Sequence, residues 1–257
     1  MKKFGTLMLA AAALALGMGA ATAAETTIRI ATEGAYPPFN QKNADGTLSG
    51  FDVDIANALC EKMKAKCTIV AQDWDGIIPG LLAKKYDAIV ASMSITEERK
   101  KTIDFSDKYY NTPARFAVGK TSGITDVSPE GMKGKTIGAQ SSTIHANYLE
   151  AKYKGTATIK LYATIDEANA DLAAGRIDAH LADSIVELAF LDGKDGGCCA
   201  FAGPDFKDPA FFGDGVGVGL RKEDGKLKAE INAAIKAILA DGTYKKLNDK
   251  YFPFSIY

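Results

Sequence analysis

The feature that most constrains the fold is an internal echo. Leu81-Leu-Ala-Lys-Lys-Tyr-Asp-Ala-Ile-Val-Ala-Ser92 aligns at a fixed offset of 91 with Leu172-Ala-Ala-Gly-Arg-Ile-Asp-Ala-His-Leu-Ala-Asp183. Trp74 then falls over Ile165, and Asp75 over Asp166. Shared periodicity explains part of this, but the common Asp-Ala and the matched lengths go beyond it. Around each copy, strand and helix patterns alternate. The first half predicts strands at 27–32, 68–71 and 86–92, with helices at 51–63 and 74–83. Phe51, Ile55, Leu59 and Met63 recur at helical spacing. The second half predicts strands at 135–140, 159–162 and 177–182, with helices at 144–153 and 165–174. Strands separated by helices form mostly parallel sheets covered on both faces, so the chain reads as two similar α/β lobes.

The lobes are not expected to follow one another simply. Extended segments at 104–109 and 115–119 meet near Asn111-Thr112-Pro113. A further alternating strand at 216–220, an amphipathic helix at 227–239 and a helical piece at 244–252 could return to the first lobe. The expected division is therefore lobe 1 from 25–112 and 214–257, with lobe 2 inserted at 113–213. Two crossovers resist twisting yet permit closure, the hinge of a clamshell.

Met1-Lys2-Lys3, an apolar run over 4–21 and small residues at Ala21-Thr22-Ala23-Ala24 have the order of a secretory signal, cut after Ala23 or Ala24. Residues 1–24 are thus expected to be removed. No second stretch approaches the roughly 20 apolar residues of a membrane span. Losing Lys2 and Lys3 takes the formal charge from -1 to -3, which argues against a nucleic-acid partner. In an exported chain, Cys60 closing a helix and Cys67 opening a strand would be bridged across the turn. Cys198 and Cys199 follow Gly196-Gly197 in an expected loop, as a vicinal disulfide or two thiols. With two histidines in the chain and no CxxC, neither a metal site nor thiol redox catalysis is expected.

Ligands of parallel α/β sheets sit beyond the carboxyl ends of the strands. Those ends carry Glu33 and Tyr36, then Trp74, then Ser92, Ser94 and Arg99; in the second half they carry Thr143 and Asp183. This set suits an amino acid. Arg99, Ser94 and the helix start at Thr143 could hold a carboxylate. Asp183 and Ser92 could hold an ammonium. Tyr36 and Trp74 could sandwich a side chain, and Glu33 could receive a cationic tip. Each also has a plainer reading. Arg99 lies in the charge run Glu97-Glu98-Arg99-Lys100-Lys101. Asp183 could cap the next helix, Ser92, Ser94 and Thr143 could be turn and cap residues, and Trp74 and Tyr36 could simply pack. His145 and His180 read as structural.

The chain resembles the periplasmic amino-acid-binding proteins of ABC importers, solute-binding family 3. It looks most like the lysine/arginine/ornithine and histidine binders, with octopine and nopaline binders nearby. The motifs that carry the resemblance are Gly50-Phe-Asp-Val-Asp-Ile55, Cys60 with Cys67, Tyr86-Asp-Ala-Ile89, Ser92-Met-Ser-Ile-Thr96, Arg99, Gly175-Arg-Ile-Asp-Ala179 and Gly219-Leu-Arg-Lys-Glu-Asp224. The resemblance implies a type II clamshell fold and a monomer in the periplasm. It implies capture of a basic amino acid (arginine, lysine or ornithine, or histidine) for an inner-membrane ABC permease, with no cofactor. It assigns Arg99 with the Ser94 and Thr143 regions to the α-carboxylate, and Asp183 with Ser92 to the α-ammonium. Tyr36 and Trp74 would cover the side chain, and Glu33 would meet the distal cation. Three positions depart from that pattern. Glu33 is longer than the usual aspartate, Ala91 replaces a common serine, and Gln140 stands at a position that is apolar in the lysine/arginine binders. Gln140 therefore joins the candidate ligand set, and an opine or another polar amino acid is the alternative ligand. The family also includes dehydratases, and a sensing module would share the pocket. Catalysis needs a group poised near working pH; Glu33 is the one candidate, and no Ser-His-Asp order, Walker loop or metal triad accompanies it. No enzymatic activity is expected.

Overall fold

The computed structural model describes residues 27–257; the expected leader and its cut site lie outside them. In chain order the elements are β1 Thr27–Thr32, β2 Ala35–Tyr36, β3 Asn40–Lys42, β4 Leu48–Ser49, α1 Phe51–Met63, β5 Lys66–Ala71, α2 Trp74–Leu82, β6 Ala88–Ile89, α3 Glu97–Lys100 and β7 Asp104–Tyr110. Then come β8 Ala114–Gly119, β9 Thr136–Gln140, α4 Ile144–Lys152, β10 Thr158–Tyr162, α5 Ile165–Ala173, β11 Ala179–Asp183, α6 Ser184–Asp192, β12 Cys199–Phe206 and α7 Pro209–Phe212. The chain ends with β13 Val216–Leu220, α8 Gly225–Ala240 and α9 Thr243–Tyr251.

Two five-stranded mixed sheets form, in the orders β5-β1-β6-β13-β7 and β10-β9-β11-β8-β12. Their parallel cores, β5-β1-β6 and β10-β9-β11, are equivalent. The offset seen in the sequence carries over into space: β5 maps onto β10, α2 onto α5 and β6 onto the start of β11. Next to each parallel core lies an antiparallel strand that has arrived from the other sheet. β13 comes from the second and pairs with β6; β8 comes from the first and pairs with β11. The connections run through residues 111–113 and 207–215. This is a two-lobed α/β clamshell.

Each sheet is covered on both faces, as buried parallel strands require. On one side of the first sheet, Ile28, Ile30, Phe51, Ile55 and Leu59 pack with Ile231, Ile235 and Ile238 of α8. On the other, α2 buries Trp74, Ile77 and Leu81 against Ile89, Met93 and Phe105. The second sheet repeats this with α4 on one face and α5 on the other. A disulfide joins Cys60, near the end of α1, to Cys67 in β5, as expected. Cys198 and Cys199 are also bridged.

The structure differs from the expected elements in three places. The apolar run 86–92 pairs as a strand over Ala88–Ile89 alone, because Ser92 turns into left-handed backbone (φ 50°) and peels its end from the ladder. Cys199 lies in a strand rather than a loop: Cys199–Phe206 pairs with β8, whose burial supplies what local pattern lacks. The small β2-β3-β4 sheet and helices α3 and α7 were not foreseen, being too short for a periodic signal, whereas α6 is the helix that Asp183 could cap.

Glycines govern two tight places. Gly50, at φ 124°, precedes α1 where an added Cβ would lie 2.3 Å from the Phe39 carbonyl oxygen. Gly213, at φ 76° in the second crossover, leaves a Cβ just 2.2 Å from the Ile95 carbonyl oxygen. Gly50→Ala therefore combines an unfavourable backbone region with a backbone clash. It is expected to cost roughly 2–4 kcal/mol, lowering Tm by about 5–15 °C in thermal unfolding.

Candidate functional site

The site grows from the strand ends. Glu33 follows β1, Tyr36 lies in β2, Trp74 opens α2 beyond β5, and Ser92 and Ser94 follow β6. From the other lobe, Gln140 ends β9, Thr143 caps α4, and Asp183 ends β11. With Arg99 of α3, all nine candidates line one cleft between the lobes. Ser92 and Asp183 hold equivalent places in the repeat, so the two lobes present corresponding strand ends to each other.

The plainer readings resolve one by one. In the charge run, Glu97 pairs with Lys100 at 2.8 Å and Glu98 with Lys101 at 2.5 Å, all on the outer side. Arg99 alone turns in. Its Nη1 donates to the Ser94 carbonyl at 3.0 Å, and the guanidinium stands 5.3 Å from the Trp74 ring centre. Burial pulls its pKa down to about 10, which leaves it charged at neutral pH. Trp74 is both core and platform: it packs on Ile77 and Leu81 while its indole N–H reaches across to the Ser142 carbonyl at 3.2 Å. Asp183 does cap α6, accepting the Ile185 N–H at 2.9 Å, yet its other oxygen accepts from Thr112 Oγ1 and it still lines the cleft.

Two hydroxyls are committed elsewhere. Thr143 Oγ1 donates to the Gln140 carbonyl at 2.7 Å and accepts the Ala146 N–H at 3.1 Å. What it leaves to the cleft is the start of α4, whose first backbone N–H groups have no partner within the helix. Ser92 Oγ donates to Asp52 Oδ2 at 3.1 Å and accepts from Tyr110 OH at 2.6 Å. Its hydroxyl is therefore already engaged within the first lobe.

Across the cleft, Gln140 Nε2 donates to Glu33 Oε1 at 2.5 Å and to the Ala163 carbonyl at 3.1 Å. Glu33 is pushed up to about 7, mainly by burial, against the lowering effect of the Gln140 bond; Asp166, Asp73 and Asp75 add to the rise. Asp183 is pushed up to about 6, again by burial first, with Thr112 and α6 backbone bonds opposing. Among the described residues, no lysine or arginine ion-pairs with either carboxylate.

Sequence reasoning missed Asn111, Thr112, His145 and Phe212, which also line the cleft. Asn111 and Thr112 belong to the crossover that was recognised, but nothing local marks which crossover side chain turns inward. His145 was read as structural. It stands at the cleft wall, and burial, with His180 and Arg99 nearby, pulls its pKa down to about 3, so it is neutral. Among the described residues, no group of three or more His, Cys, Asp or Glu is arranged to hold a metal. No helix among them is long and apolar enough to cross a membrane.

Two lobes that present a guanidinium, a helix start and two buried carboxylates free of ion pairs among the described residues to one closed cleft define a solute-binding protein. The chain belongs to the bacterial extracellular solute-binding proteins, family 3, which it matches over residues 28–254. It is 46% identical to the L-arginine-binding protein of Pseudomonas aeruginosa, over 100% of this chain and 99% of that one. It is 44% identical to the lysine/arginine/ornithine-binding periplasmic protein of Escherichia coli, over 95% and 97% of the two chains. Among solved structures, an ancestral arginine-binding protein bound to arginine superposes with a TM-score of 0.82 at 35% identity, over 89% of this chain and 99% of that one.

Behind the wall, Asp52 is wholly buried and accepts from Tyr109 OH at 2.7 Å, Asn40 Nδ2 at 2.9 Å and Ser92 Oγ at 3.1 Å. Asp52→Ala would leave three buried donors without an acceptor, each costing about 1–3 kcal/mol. The expected outcome is a loss of roughly 3–5 kcal/mol of unfolding free energy in denaturant titration.

Proposed function

We propose that the cleft captures a basic amino acid, with arginine, lysine and ornithine as the natural candidates and histidine a shorter one, and delivers it to an ABC importer. The observation that carries this reading is the pair of buried carboxylates, Glu33 and Asp183, with no cation of the protein beside them. Arg99, the Ser94 region and the start of α4 receive the α-carboxylate. Asp183 and the Ser92 carbonyl receive the α-ammonium. Tyr36 and Trp74 cover the side chain, and Glu33 with Gln140 meets its distal cation. The reading is supported by relatives named for binding arginine, lysine, ornithine and histidine. We place the lobe boundaries at 112/113 and 213/214, take residues 1–24 as a removed leader, and assign the mature monomer to the periplasm beside an inner-membrane permease. An opine is less well served. Its extra carboxylate sits on the α-nitrogen and would face Asp183, where Asp52 already adds negative potential. We read the protein as a binder and not an enzyme; an amino acid incubated with it should be recovered unchanged.

Calorimetry against arginine, lysine, ornithine, histidine, glutamine and octopine is expected to rank the basic amino acids at least about tenfold above the others. Removing one partner of a buried, hydrogen-bonded charge costs about 2–5 kcal/mol, so Arg99→Ala or Asp183→Ala should weaken binding by roughly 30- to 5,000-fold. Unchanged affinity in both variants would overturn the reading.

Binding should also release protons. A carboxylate whose pKa is raised in the fold adds stability at pH values below its ordinary range, and that contribution is lost as pH rises through about 6 for Asp183 and about 7 for Glu33. A cationic ligand requires both groups charged, so its affinity moves the other way. With both groups required in the charged form, Kd for arginine should weaken on the order of 100-fold from pH 7.5 to 5.5. Calorimetric enthalpies near pH 6.5 should vary with the buffer's ionisation enthalpy.

A further inference from the structure

Four side chains of the first lobe converge on three consecutive residues of the second. Glu33 meets Gln140, Asp75 meets Ser141, and Trp74 and Arg99 both reach the Ser142 carbonyl, at 3.2 and 3.5 Å. Glu33, Trp74 and Arg99 line the cleft, so a ligand competes for their bonds and their contribution depends on what is bound. Asp75 and Ser141 do not line it. Ser141 Oγ lies 2.9 and 3.0 Å from the two oxygens of the Asp75 carboxylate, and its own N–H is tied into its lobe by the Tyr162 carbonyl at 2.8 Å. Asp75 is likewise rigidly mounted, as the second residue of α2. The repeat shows that the contact is not a by-product of fold. The corresponding residue of the other lobe, Asp166, makes no such bond among the described residues, although both aspartates lie near enough to Glu33 to raise it.

Resting on the reading of the cleft as a binding site, we propose that Asp75 and Ser141 form a clasp outside the ligand cavity that sets how tightly the closed lobes are held, whatever amino acid is inside. A contact made in the closed form and lost in the open one shifts the population of the binding-competent state, and the apparent affinity for every ligand shifts with it by one common factor. Both groups are reachable by water when the lobes part, so the gain is the modest one of a solvent-competed hydrogen bond. The clasp governs residence time and leaves the choice of ligand to the cavity. Asp75 and Ser141 are positioning residues: they touch no ligand.

Ser141→Ala should weaken Kd about three- to tenfold, equally for arginine, lysine and ornithine, with the loss appearing in the dissociation rate and the selectivity ratios kept within about twofold. Ser141→Thr, which keeps the hydroxyl, should restore most of the affinity. In an Asp75→Ala background, Ser141→Ala should have no further effect, since the cycle reports the pair itself. In the same proteins without ligand, spin labels at the exposed positions Lys84 and Lys154 should show a smaller closed fraction for Ser141→Ala, with Tm unchanged. That distance measurement tests the clasp even if no amino acid is found to bind, an outcome that would instead refute the ligand assignment. A Kd within twofold of the native protein, a loss that differs among ligands, equal effects in both backgrounds, or an unchanged distance distribution would each overturn the clasp.

Discussion

Two buried carboxylates that share one cleft, each hydrogen-bonded but neither ion-paired among the described residues, govern this molecule. Glu33 and Asp183 come from different lobes, and burial raises both. Each shift corresponds to roughly 3 kcal/mol against the charged form. A ligand with a cation at each end removes that penalty, and one with a cation at a single end removes half of it. On the proposed reading, closure and ligand choice are one event, because the lobes would come together best on a molecule that neutralises both.

The fold exists to bring those groups face to face. Each parallel core ends its strands at the cleft, and the antiparallel strand beside each core has crossed from the opposite sheet. The two crossovers leave the lobes able to rotate toward each other while their sheets remain intact. Asp52, Tyr109 and Tyr110 stiffen the wall behind Ser92, so that its carbonyl keeps a fixed direction. The left-handed backbone at Ser92 and Ser142 marks where the chain bends sharply at the cleft edge. Such strain in non-glycine residues collects where a site must be held in one geometry.

Much of this was legible from residue order. The repeat at an offset of 91 anticipated the helix pair α2 and α5, reading along the strand ends picked out eight of the cleft residues, and the departure from the family pattern added Gln140. Arg99 shows where that reading needed help, since the charge run itself does not say which member points inward. Asp183 shows the opposite lesson, because it caps α6 and still lines the cleft. Thr143 and Ser92 were placed correctly, but their hydroxyls turned out to be engaged within the protein. Thr112, His145 and the Asp75–Ser141 contact left no local signal. Each depends on a neighbour far away in the chain: Thr112 and Asp183 are 71 residues apart, and Asp75 and Ser141 are 66 apart.

By itself, the order of residues determined the α/β class, the doubled architecture, the crossover near 111–113 and the polar residues waiting at the strand ends. These follow from periodicity, turn chemistry and matched lengths, which act over a few residues at a time. Which side chains meet across the cleft, which carboxylates lose water, and which hydroxyls are already engaged was decided only when two separately folded lobes approached at one particular angle. That angle comes from packing summed over whole surfaces, and no short stretch of chain carries it.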